Sequence, residues 1–467
     1  MSISHALSRT VLAVCAIILF TAPAAQATVT DVHEYTLDNG MRLLVKPDAR
    51  APVVVSQLWF PVGSSYEQPG TTGVSHALEH MMFKGTENRE SGEFSRIIAR
   101  EGGRQNAFTG RDFTSYFEQL RADRLEIALE LEADRLANIR FDADEFAREM
   151  EVINEERRLT VDDNPFSVAR ERFNALAWAT SPYRQPIIGW QEDLDQFTVD
   201  DLRDWYAHHY GVNNAILVIV GNVQPDAVHD LVKKHFGGLE PRPVPKTRAR
   251  AEIPGLGERR AVLRVKNATP YLMMGYHAPS LGTAENQRES YALSLLSSIL
   301  DGGESARLPE RLVRGSEVAS SVGAGYSGIT RLDTHFSLVG RPGPDGSLDE
   351  LEQAVRAEVR RVIEDGITEE ELERAKIQAR ADYVYQLDSL FYQAMEIGML
   401  ETAGIGWETM NAFETAIAQV TVEDVHAVAQ RYLTDDRLTV VHLLPRDDDS
   451  VASAPTAGTP TTHGSGH

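Results

Sequence analysis

The sequence predicts an α+β protein built from two homologous layered domains, each with helices packed on an antiparallel-rich sheet. Strand and helix patterns mix without strict βαβ alternation, features of the first half recur in the second, and a proline-rich segment separates the halves. A chain of 467 residues with 42% hydrophobic content can bury more than one core. We therefore expect an internal duplication of one domain.

The N-terminus has the pattern of a secretory signal peptide over residues 1–27. Arg9 supplies a positive charge, residues 11–20 form a short apolar run, and residues 25–27 read A-Q-A, a cleavage site. The run is too short to cross a bilayer. Cys15, the only cysteine in the chain, lies inside this segment. We expect an exported, cysteine-free protein, most simply in a bacterial periplasm, whose metal sites would use only histidine and carboxylate.

The net charge of −23 argues against binding to nucleic acid or to an anionic membrane surface. No later segment is long and apolar enough to span a membrane. Residues 447–467 are rich in Ser, Thr, Ala, Pro and Gly, which predicts a disordered tail.

The first domain is expected to span residues 28–240. Asn39-Gly40 is typical of a hairpin turn, and Asp142 with Glu145 three residues later is typical of a helix N-terminus. The periodic patterns predict, in order, a hairpin at 35–45, a strand at 53–62, a helix at 73–83, strands at 104–109 and 114–120, and helices at 121–137 and 142–159.

The second domain is expected to span residues 258–446, after a linker at 241–257 whose prolines prevent a regular helix or central strand. Thr198 and Thr421 each precede two acidic residues and a helical pattern, and an apolar strand follows each helix. The two threonines are 223 residues apart, about half the chain. This long period indicates a duplicated domain.

Residues 76–80 read H-A-L-E-H, an H-x-x-E-H motif. At about 100° per residue, the side chains of His76, Glu79 and His80 leave one narrow face of a helix. Two imidazoles spaced i and i+4 can bind one Zn²⁺, and the carboxylate between them can reach a water on the metal. The motif therefore predicts zinc-assisted hydrolysis of an amide.

A catalytic zinc site needs a third protein ligand, which here must be His, Asp or Glu. The helix that begins after Asp142 offers several carboxylates, and periodicity alone does not choose among them. Glu149 and Glu156 are seven residues apart and share a face, so that one could bind the metal while the other supports it. The candidates are Glu145, Glu149, Glu151, Glu155 and Glu156.

Residues 73–86, G-V-S-H-A-L-E-H-M-M-F-K-G-T, resemble the signature of the pitrilysin/insulinase metallopeptidases, which include the mitochondrial processing peptidase. Residues 106–109 resemble the substrate-binding edge strand of that family, and residues 149–156 resemble its third-ligand helix. The interval of 76 residues from His80 to Glu156 matches the usual spacing of that family, so the resemblance implies Glu156 rather than Glu155 as the third ligand. The resemblance covers nearly all of the chain after the signal.

The resemblance implies a zinc endopeptidase acting on short or unfolded peptides, with two half-molecules enclosing a clam-like chamber. One Zn²⁺ per chain would be held by His76, His80 and Glu156, with Glu79 as general base and Glu149 orienting the site. An edge strand would bind the peptide through main-chain hydrogen bonds. The residues assigned to peptide binding are Asn106, Ala107, Phe108 and Thr109.

The second half has no H-x-x-E-H, and the corresponding residues 290–294 contain no metal ligand. Many relatives supply an Arg and a Tyr from this half to contact substrate, but those positions fall here on Val313 and Ser320. We expect a homologous second subunit to supply the pair, as a heterodimer or homodimer. Alternatively, Arg314 and Tyr326 replace it through a local shift.

Two other functions are compatible with this architecture: a non-catalytic assembly subunit and a zinc-storage protein. Subunits that have lost catalysis typically lack the ligands, whereas this chain keeps all three. Glu79 is not needed to bind a metal, so its presence argues against storage. The sequence therefore favours a peptidase.

Overall fold

The computed structural model describes residues 31–446, apart from 246–247, 249, 254 and 256. The predicted signal peptide and tail lie outside the described residues. Two sheets, one of six strands and one of five, carry helices and confirm the α+β fold with two layered domains. No described helix has the length and hydropathy of a membrane span.

Within the residues that the structure describes, the first domain contains the six-stranded sheet and eight α-helices. Its strands are β1 (His33–Thr36), β2 (Arg42–Pro47), β3 (Val53–Phe60), β4 (Arg104–Thr109), β5 (Thr114–Arg121) and β6 (Ile216–Gly221). Its helices are α1 (Val74–Met81), α2 (Glu93–Arg100), α3 (Leu125–Asn138), α4 (Ala143–Arg157), α5 (Pro165–Ala177), α6 (Gln191–Leu194), α7 (Val199–His209) and α8 (Pro225–Phe236).

The described part of the second domain contains the five-stranded sheet and six α-helices. Its strands are β7 (Arg259–Val265), β8 (Tyr271–Ala278), β9 (Ala319–Tyr326), β10 (Thr334–Pro342) and β11 (Leu438–Pro445). Its helices are α9 (Gln287–Asp301), α10 (Leu348–Asp365), α11 (Glu369–Gln386), α12 (Leu390–Thr402), α13 (Thr409–Gln419) and α14 (Val422–Tyr432). The exact limits 28–240 and 258–446 stay predictions.

The duplication extends to strand order. The first sheet runs β1-β2-β6-β3-β5-β4, and the second runs β7-β11-β8-β10-β9, which is the same order without β1. The one parallel contact in each sheet, β2 with β6 and β7 with β11, is also equivalent. Thr198 and Thr421 each form a capping box at the start of α7 and α14, so the repeated sequence signal has the expected structure.

Several helix limits differ from the sequence patterns. The helix expected at 121–137 begins only at Leu125, because strand β5 continues to Arg121. The helix expected at 142–159 ends at Arg157 and widens into a π turn over 158–162. There the Thr160 hydroxyl donates to the carbonyl of Glu156 at 2.8 Å and competes with regular helical hydrogen bonding.

Each sheet has one face covered by helices of its own domain and the other by a helix of the opposite domain. Helix α12 packs on β3 and β6 of the first sheet, and α5 packs on β7, β8 and β11 of the second. We call α5 and α12 the crossing helices. A buried apolar cluster forms under each, one around Trp59 and one around Trp178. The crossing helices therefore join the two domains through apolar packing.

The linker is tied back to the first domain. The buried carboxylate of Glu252 accepts hydrogen bonds from the amides of Ala179, Thr180 and Ser181, at 2.9 to 3.0 Å. Arg259, at the start of β7, lies 3.4 Å from the same carboxylate. Three amides and a guanidinium compensate the buried charge.

Candidate metal centre

The start of α1 is fixed from both sides. Gly73 precedes the helix with φ +91°, and a side chain there would place its Cβ 2.5 Å from the carbonyl oxygen of Ile188. The buried carboxylate of Glu67 accepts hydrogen bonds from the amides of Gly73 at 2.7 Å and Ser75 at 2.9 Å. Burial raises the pKa of Glu67 to about 7, although both amides oppose that shift. The motif helix is thus held at its N-terminus.

Helices α1 and α4 bring His76, His80 and Glu156 together. The Nε2 atoms of His76 and His80 lie 3.7 Å and 3.4 Å from separate oxygens of Glu156, and one ligand atom from each residue lies within 4.8 Å of the others. A tetrahedral ion with bonds of about 2.1 Å separates its ligand atoms by roughly 3.4 Å. The three side chains therefore fit one Zn²⁺.

The pKa values of the two histidines shift in opposite directions. Burial and the neighbouring His80 lower the pKa of His76 to about 4. Burial also disfavours the charged form of His80, but hydrogen bonds to Glu149 and Glu156 outweigh it and raise the pKa to about 9. The His80–Glu156 hydrogen bond lowers the pKa of Glu156, which therefore stays a carboxylate.

Glu149 lies behind His80. Its Oε1 is 2.8 Å from Nδ1 of His80, and its Oε2 is 2.5 Å from the ammonium of Lys84. With Nδ1 protonated toward Glu149, Nε2 of His80 presents its lone pair to the metal position. A cavity opens beside this group and is lined by His76, Glu79 and Glu156; we call it the metal cavity, and Glu149 does not line it. This position suits a residue that orients His80, one of the two roles expected for it.

Glu79 faces the cavity beside the metal position. The Thr109 hydroxyl donates to its Oε2 at 2.6 Å, and burial raises the pKa of Glu79. A carboxylate with a raised pKa, next to a metal position and held by one hydrogen bond, is suited to accept and return a proton.

Strand β4 is an edge strand, paired only with β5. Phe108 and Thr109 line the metal cavity, whereas Asn106 and Ala107 do not. The Phe108 ring also packs edge-on against Trp59, 5.5 Å between centroids, so part of it belongs to the apolar cluster under α12. The strand therefore has a free backbone edge near the metal position, as the sequence predicted.

The cavity that His76 and Glu79 line has a volume of about 620 Å³ and extends along α5. Sequence patterns did not identify the rest of its lining, which comes from the turn after β4, from α5 and from loops distant in sequence. Arg111 and Arg170 bring two guanidinium groups to it. Further lining residues missed by sequence reasoning are Val161, Ser167, Glu171, Asn174, Gln185, Pro186, Ile187 and Ile188.

Arg314 and Tyr326 do not reach the metal cavity. Arg314 donates to the carbonyl of Glu304, and the Tyr326 hydroxyl donates to the carbonyl of Pro279 at 2.5 Å. Neither they nor Val313 and Ser320 are among the described residues lining that cavity. The structure gives no support to a local shift that would make Arg314 and Tyr326 replace the substrate-contacting pair.

The chain resembles known zinc proteases over most of its length. A family model described as "Insulinase (Peptidase family M16)" matches residues 42–190, and one described as "Peptidase M16 inactive domain" matches residues 196–379. The chain is 30% identical to a zinc protease, PqqE, of Helicobacter pylori over 90% of this chain and 94% of that protein. It is 26% identical to an uncharacterized zinc protease, YmxG, of Bacillus subtilis over 87% and 96% of the two chains.

Solved structures agree at the level of the fold. A crystal structure of a Helicobacter pylori protease superposes with a TM-score of 0.83 at 29% identity, covering 89% of this chain and all of that chain. The periplasmic protease PqqL from Escherichia coli superposes with a TM-score of 0.75 at 22% identity, covering 91% of this chain and 49% of that one. These matches confirm the predicted two-domain, clam-like architecture.

Proposed function

The chain belongs to the insulinase family of M16 peptidases, and from this premise we propose that it is a zinc-dependent metalloendopeptidase acting on short or unfolded peptides. The observation that carries the proposal is the convergence of His76, His80 and Glu156 on one point, with Glu79 beside it. Three protein ligands that leave a fourth position open are typical of catalytic zinc.

His76, His80 and Glu156 would hold one Zn²⁺ per chain. The bound ion would lower the pKa of a water molecule and polarise the scissile carbonyl. Glu79 would accept a proton from the attacking water molecule and pass it to the leaving amine, while the Thr109 hydroxyl fixes the orientation of the Glu79 carboxylate. Glu149 holds His80 in the tautomer that presents Nε2 to the metal.

The peptide would add to β4 as a further strand, with residues 106–109 supplying main-chain hydrogen bonds. Main-chain recognition gives loose sequence selectivity, which suits hydrolysis of many unfolded peptides. An edge strand cannot pair with a segment whose backbone is already hydrogen-bonded in a fold. This supports short or unfolded substrates.

The decisive experiment compares Glu79→Gln with Glu155→Gln in a peptidase assay. Glu155 is the exposed neighbour of Glu156 and pairs with Arg158, so its substitution is a matched control. We expect Glu79→Gln to bind zinc normally and to lose activity on an unstructured fluorogenic peptide by about 10²-fold or more, as loss of a general base does. Chelation should abolish the activity of the parent chain.

A Glu79→Gln variant that keeps both zinc and activity would refute the proposed mechanism. If the parent chain binds zinc but cleaves no peptide alone or with any co-purified protein, the alternative role as a non-catalytic assembly subunit is supported.

We further propose that a homologous subunit, in a heterodimer or a homodimer, completes the substrate-contacting surface. The proposal is supported by the absence of Arg314 and Tyr326 from the described lining of the metal cavity. Co-purification from the native host, followed by activity and mass measurements on each species, tests it. Full activity in a demonstrated monomer, unchanged by any partner, would exclude this arrangement.

We also propose export to a periplasm with loss of residues 1–27. The proposal rests on the signal-like sequence and on the likeness to a periplasmic protease. N-terminal sequencing of the protein from fractionated host cells tests it; a mature chain that still begins at Met1 in the cytoplasmic fraction would contradict it.

A further inference from the structure

A second cavity lies in the second domain, between α9, α12 and the end of β9. Its volume is about 390 Å³. Apolar side chains form much of its wall, and one carboxylate, that of Glu396, also lines it. Ser294 and Gln386 are exposed lining residues, so the cavity opens to solvent. The apolar contributors include Tyr291, Ile329, Met399, Leu400 and Phe413.

This cavity is the counterpart of the metal cavity within the duplicated domain. The equivalent strand orders make β9 the counterpart of β4, α9 the counterpart of α1, and the crossing helix α12 the counterpart of α5. Ser290 and Ser294, spaced like His76 and His80, line it. The duplication has therefore kept a cavity at this place after its metal ligands were lost.

One ion pair of the first domain is missing from the second. Glu171 is the seventh residue of α5, and Glu396 is the seventh residue of α12. The buried Arg157, the fifteenth residue of α4, donates to Glu171 at 3.0 Å. The fifteenth residue of α11 is Tyr383, which carries no positive charge. The second domain therefore has the carboxylate of this ion pair but lacks the arginine.

Glu396 consequently has no cationic partner in the described part of the chain: no Lys, Arg or His nitrogen there lies within 4.0 Å of its carboxylate. Lys46 is a neighbouring charge that remains outside this distance. Burial raises the pKa of Glu396 to about 7. A carboxylate that faces apolar walls without an ion-pair partner is energetically unfavourable. A ligand with a positive charge and an apolar body would neutralise the carboxylate and also pack against the apolar walls.

We propose that the second cavity binds an organic ammonium group carried on an apolar body, with Glu396 as its counter-ion. A lysine side chain or the N-terminal residue of a peptide has this chemistry. The ammonium group pairs with the carboxylate, and the apolar body packs against Met399, Leu400 and Phe413. The aromatic rings of Tyr291 and Phe413 add further attraction for a cation.

The test measures binding of 2-phenylethylamine to the full chain at pH 8 by isothermal titration calorimetry, with 2-phenylethanol as the uncharged matched probe. We expect the amine to bind and the alcohol to bind at least about tenfold more weakly, as loss of a charged hydrogen bond predicts. Glu396→Gln should weaken amine binding by a similar factor. Glu414→Gln, an exposed change on the adjacent α13 that does not line the cavity, should leave it unchanged.

A second variant restores the missing ion pair. Tyr383→Arg places a guanidinium at the position that Arg157 has in the first domain, and we expect it to abolish amine binding. A peptide with a lysine and a peptide with a free N-terminus, each compared with its acetylated form in the Glu79→Gln background, distinguish the two sources of the ammonium group. Peptide hydrolysis is not needed for any of these measurements, so failure of the proposed peptidase activity would leave this proposal standing.

Equal binding of amine and alcohol, or undiminished amine binding by a folded Glu396→Gln protein, would overturn the proposal. A crystal structure in which Lys46 closes onto Glu396 in the presence of the amine would overturn it as well, because the chain would then supply its own cation.

Discussion

At the scale of single residues, Glu149 is the clearest case of a side chain that acts through another. Its carboxylate joins Nδ1 of His80 to the ammonium of Lys84. We expect Glu149→Gln to weaken zinc binding by about 10- to 100-fold, the usual effect of losing the hydrogen-bond partner of a metal-binding histidine. Competition with a zinc chelator measures it. Glu145→Gln, which removes a carboxylate paired with Arg148 on the same helix, is the control.

An unchanged zinc affinity in Glu149→Gln would show that His80 is oriented without it. A loss of activity at saturating zinc, with the affinity unchanged, would instead assign Glu149 a direct part in the reaction.

Glu396 makes a residue-scale prediction about pH. Its pKa is about 7 in the folded chain, against an ordinary value of 4.5, because burial outweighs the charge of Lys46. The folded state therefore holds the proton more tightly, and stability is lost as the pH rises from 4.5 through 7. Tyr291 and Tyr383 also face this carboxylate.

Glu396→Gln should remove that loss, so the variant should gain stability relative to the parent between pH 5 and pH 8, on the order of 2 kcal/mol. Urea unfolding at both pH values measures the difference. A constant difference across this range would contradict the prediction.

The sequence predicted the residues of the candidate metal centre that occur in one motif or at the interval usual for the family it resembles: His76, Glu79, His80 and Glu156. It did not predict Arg111 or Arg170, because neither position has a periodic or spacing signal that separates it from ordinary surface arginine. Arg170 reaches the cavity because α5 crosses to the second sheet, whereas Arg111 lies in the turn that follows β4. The lack of an ion-pair partner for Glu396 within the described residues could not be predicted either. It arises because Tyr383 occupies the helix position that Arg157 has in the first domain.

At the scale of elements, the crossing helix α12 depends on a glycine. A Cβ at Gly398 would lie 2.0 Å from Cε2 of Trp59, which is fully buried in β3. We expect Gly398→Ala to destabilise the protein by about 1–3 kcal/mol or more, because either the helix or the indole must shift. Thermal or urea unfolding measures this.

Gly238→Ala is the matched control, since a Cβ there meets no atom within 4 Å. If Gly398→Ala is as stable as this control, α12 does not pack on Trp59 in the manner described.

The elements themselves were largely predictable from alternation, caps and turns, including α1, β4, β5 and the repeated α7 and α14. The exact ends of these helices and strands were less predictable. The π turn over 158–162 follows from a local Thr160 hydrogen bond, which a hydrophobic pattern does not record. Helices α5 and α12 could not be assigned to the opposite sheets, because an apolar helix face does not specify which sheet covers it.

At the scale of the whole molecule, the domain interface contains two buried histidines. His277 and His335 stack on Trp178, with ring centroids 4.5 Å and 4.2 Å away. Burial, and then the charge of Arg259, lowers the pKa of His277 to about 4; burial lowers that of His335 well below its usual value. Both rings are therefore neutral in the folded protein at pH 7.

Because the unfolded chain takes up these protons near pH 6.5, stability should fall as the pH drops from 6.5 through 4. We expect the melting temperature to fall between pH 7.5 and pH 5, and His335→Phe to reduce that fall. His208→Phe, at an exposed position, should not. An identical fall in the parent and in His335→Phe would show that these rings do not control acid sensitivity.

Duplication, two layers and the order of the domains were all accessible from the repeat of 223 residues, since homologous halves must fold alike. The packing of α5 and α12 on the sheet of the opposite domain, which we call the reciprocal covering, could not be predicted. It depends on how the two domains pack together and not on the sequence of either half.

The reciprocal covering also sets the order in which the protein can mature during synthesis. Strand β6 completes the first sheet at Gly221, but the helix that covers the Trp59 face of that sheet begins at Leu390. Until the ribosome has added that helix, an apolar surface of the first domain has no native cover. We therefore expect the nascent first domain to be prone to aggregation until α12 has been synthesised and has packed on it.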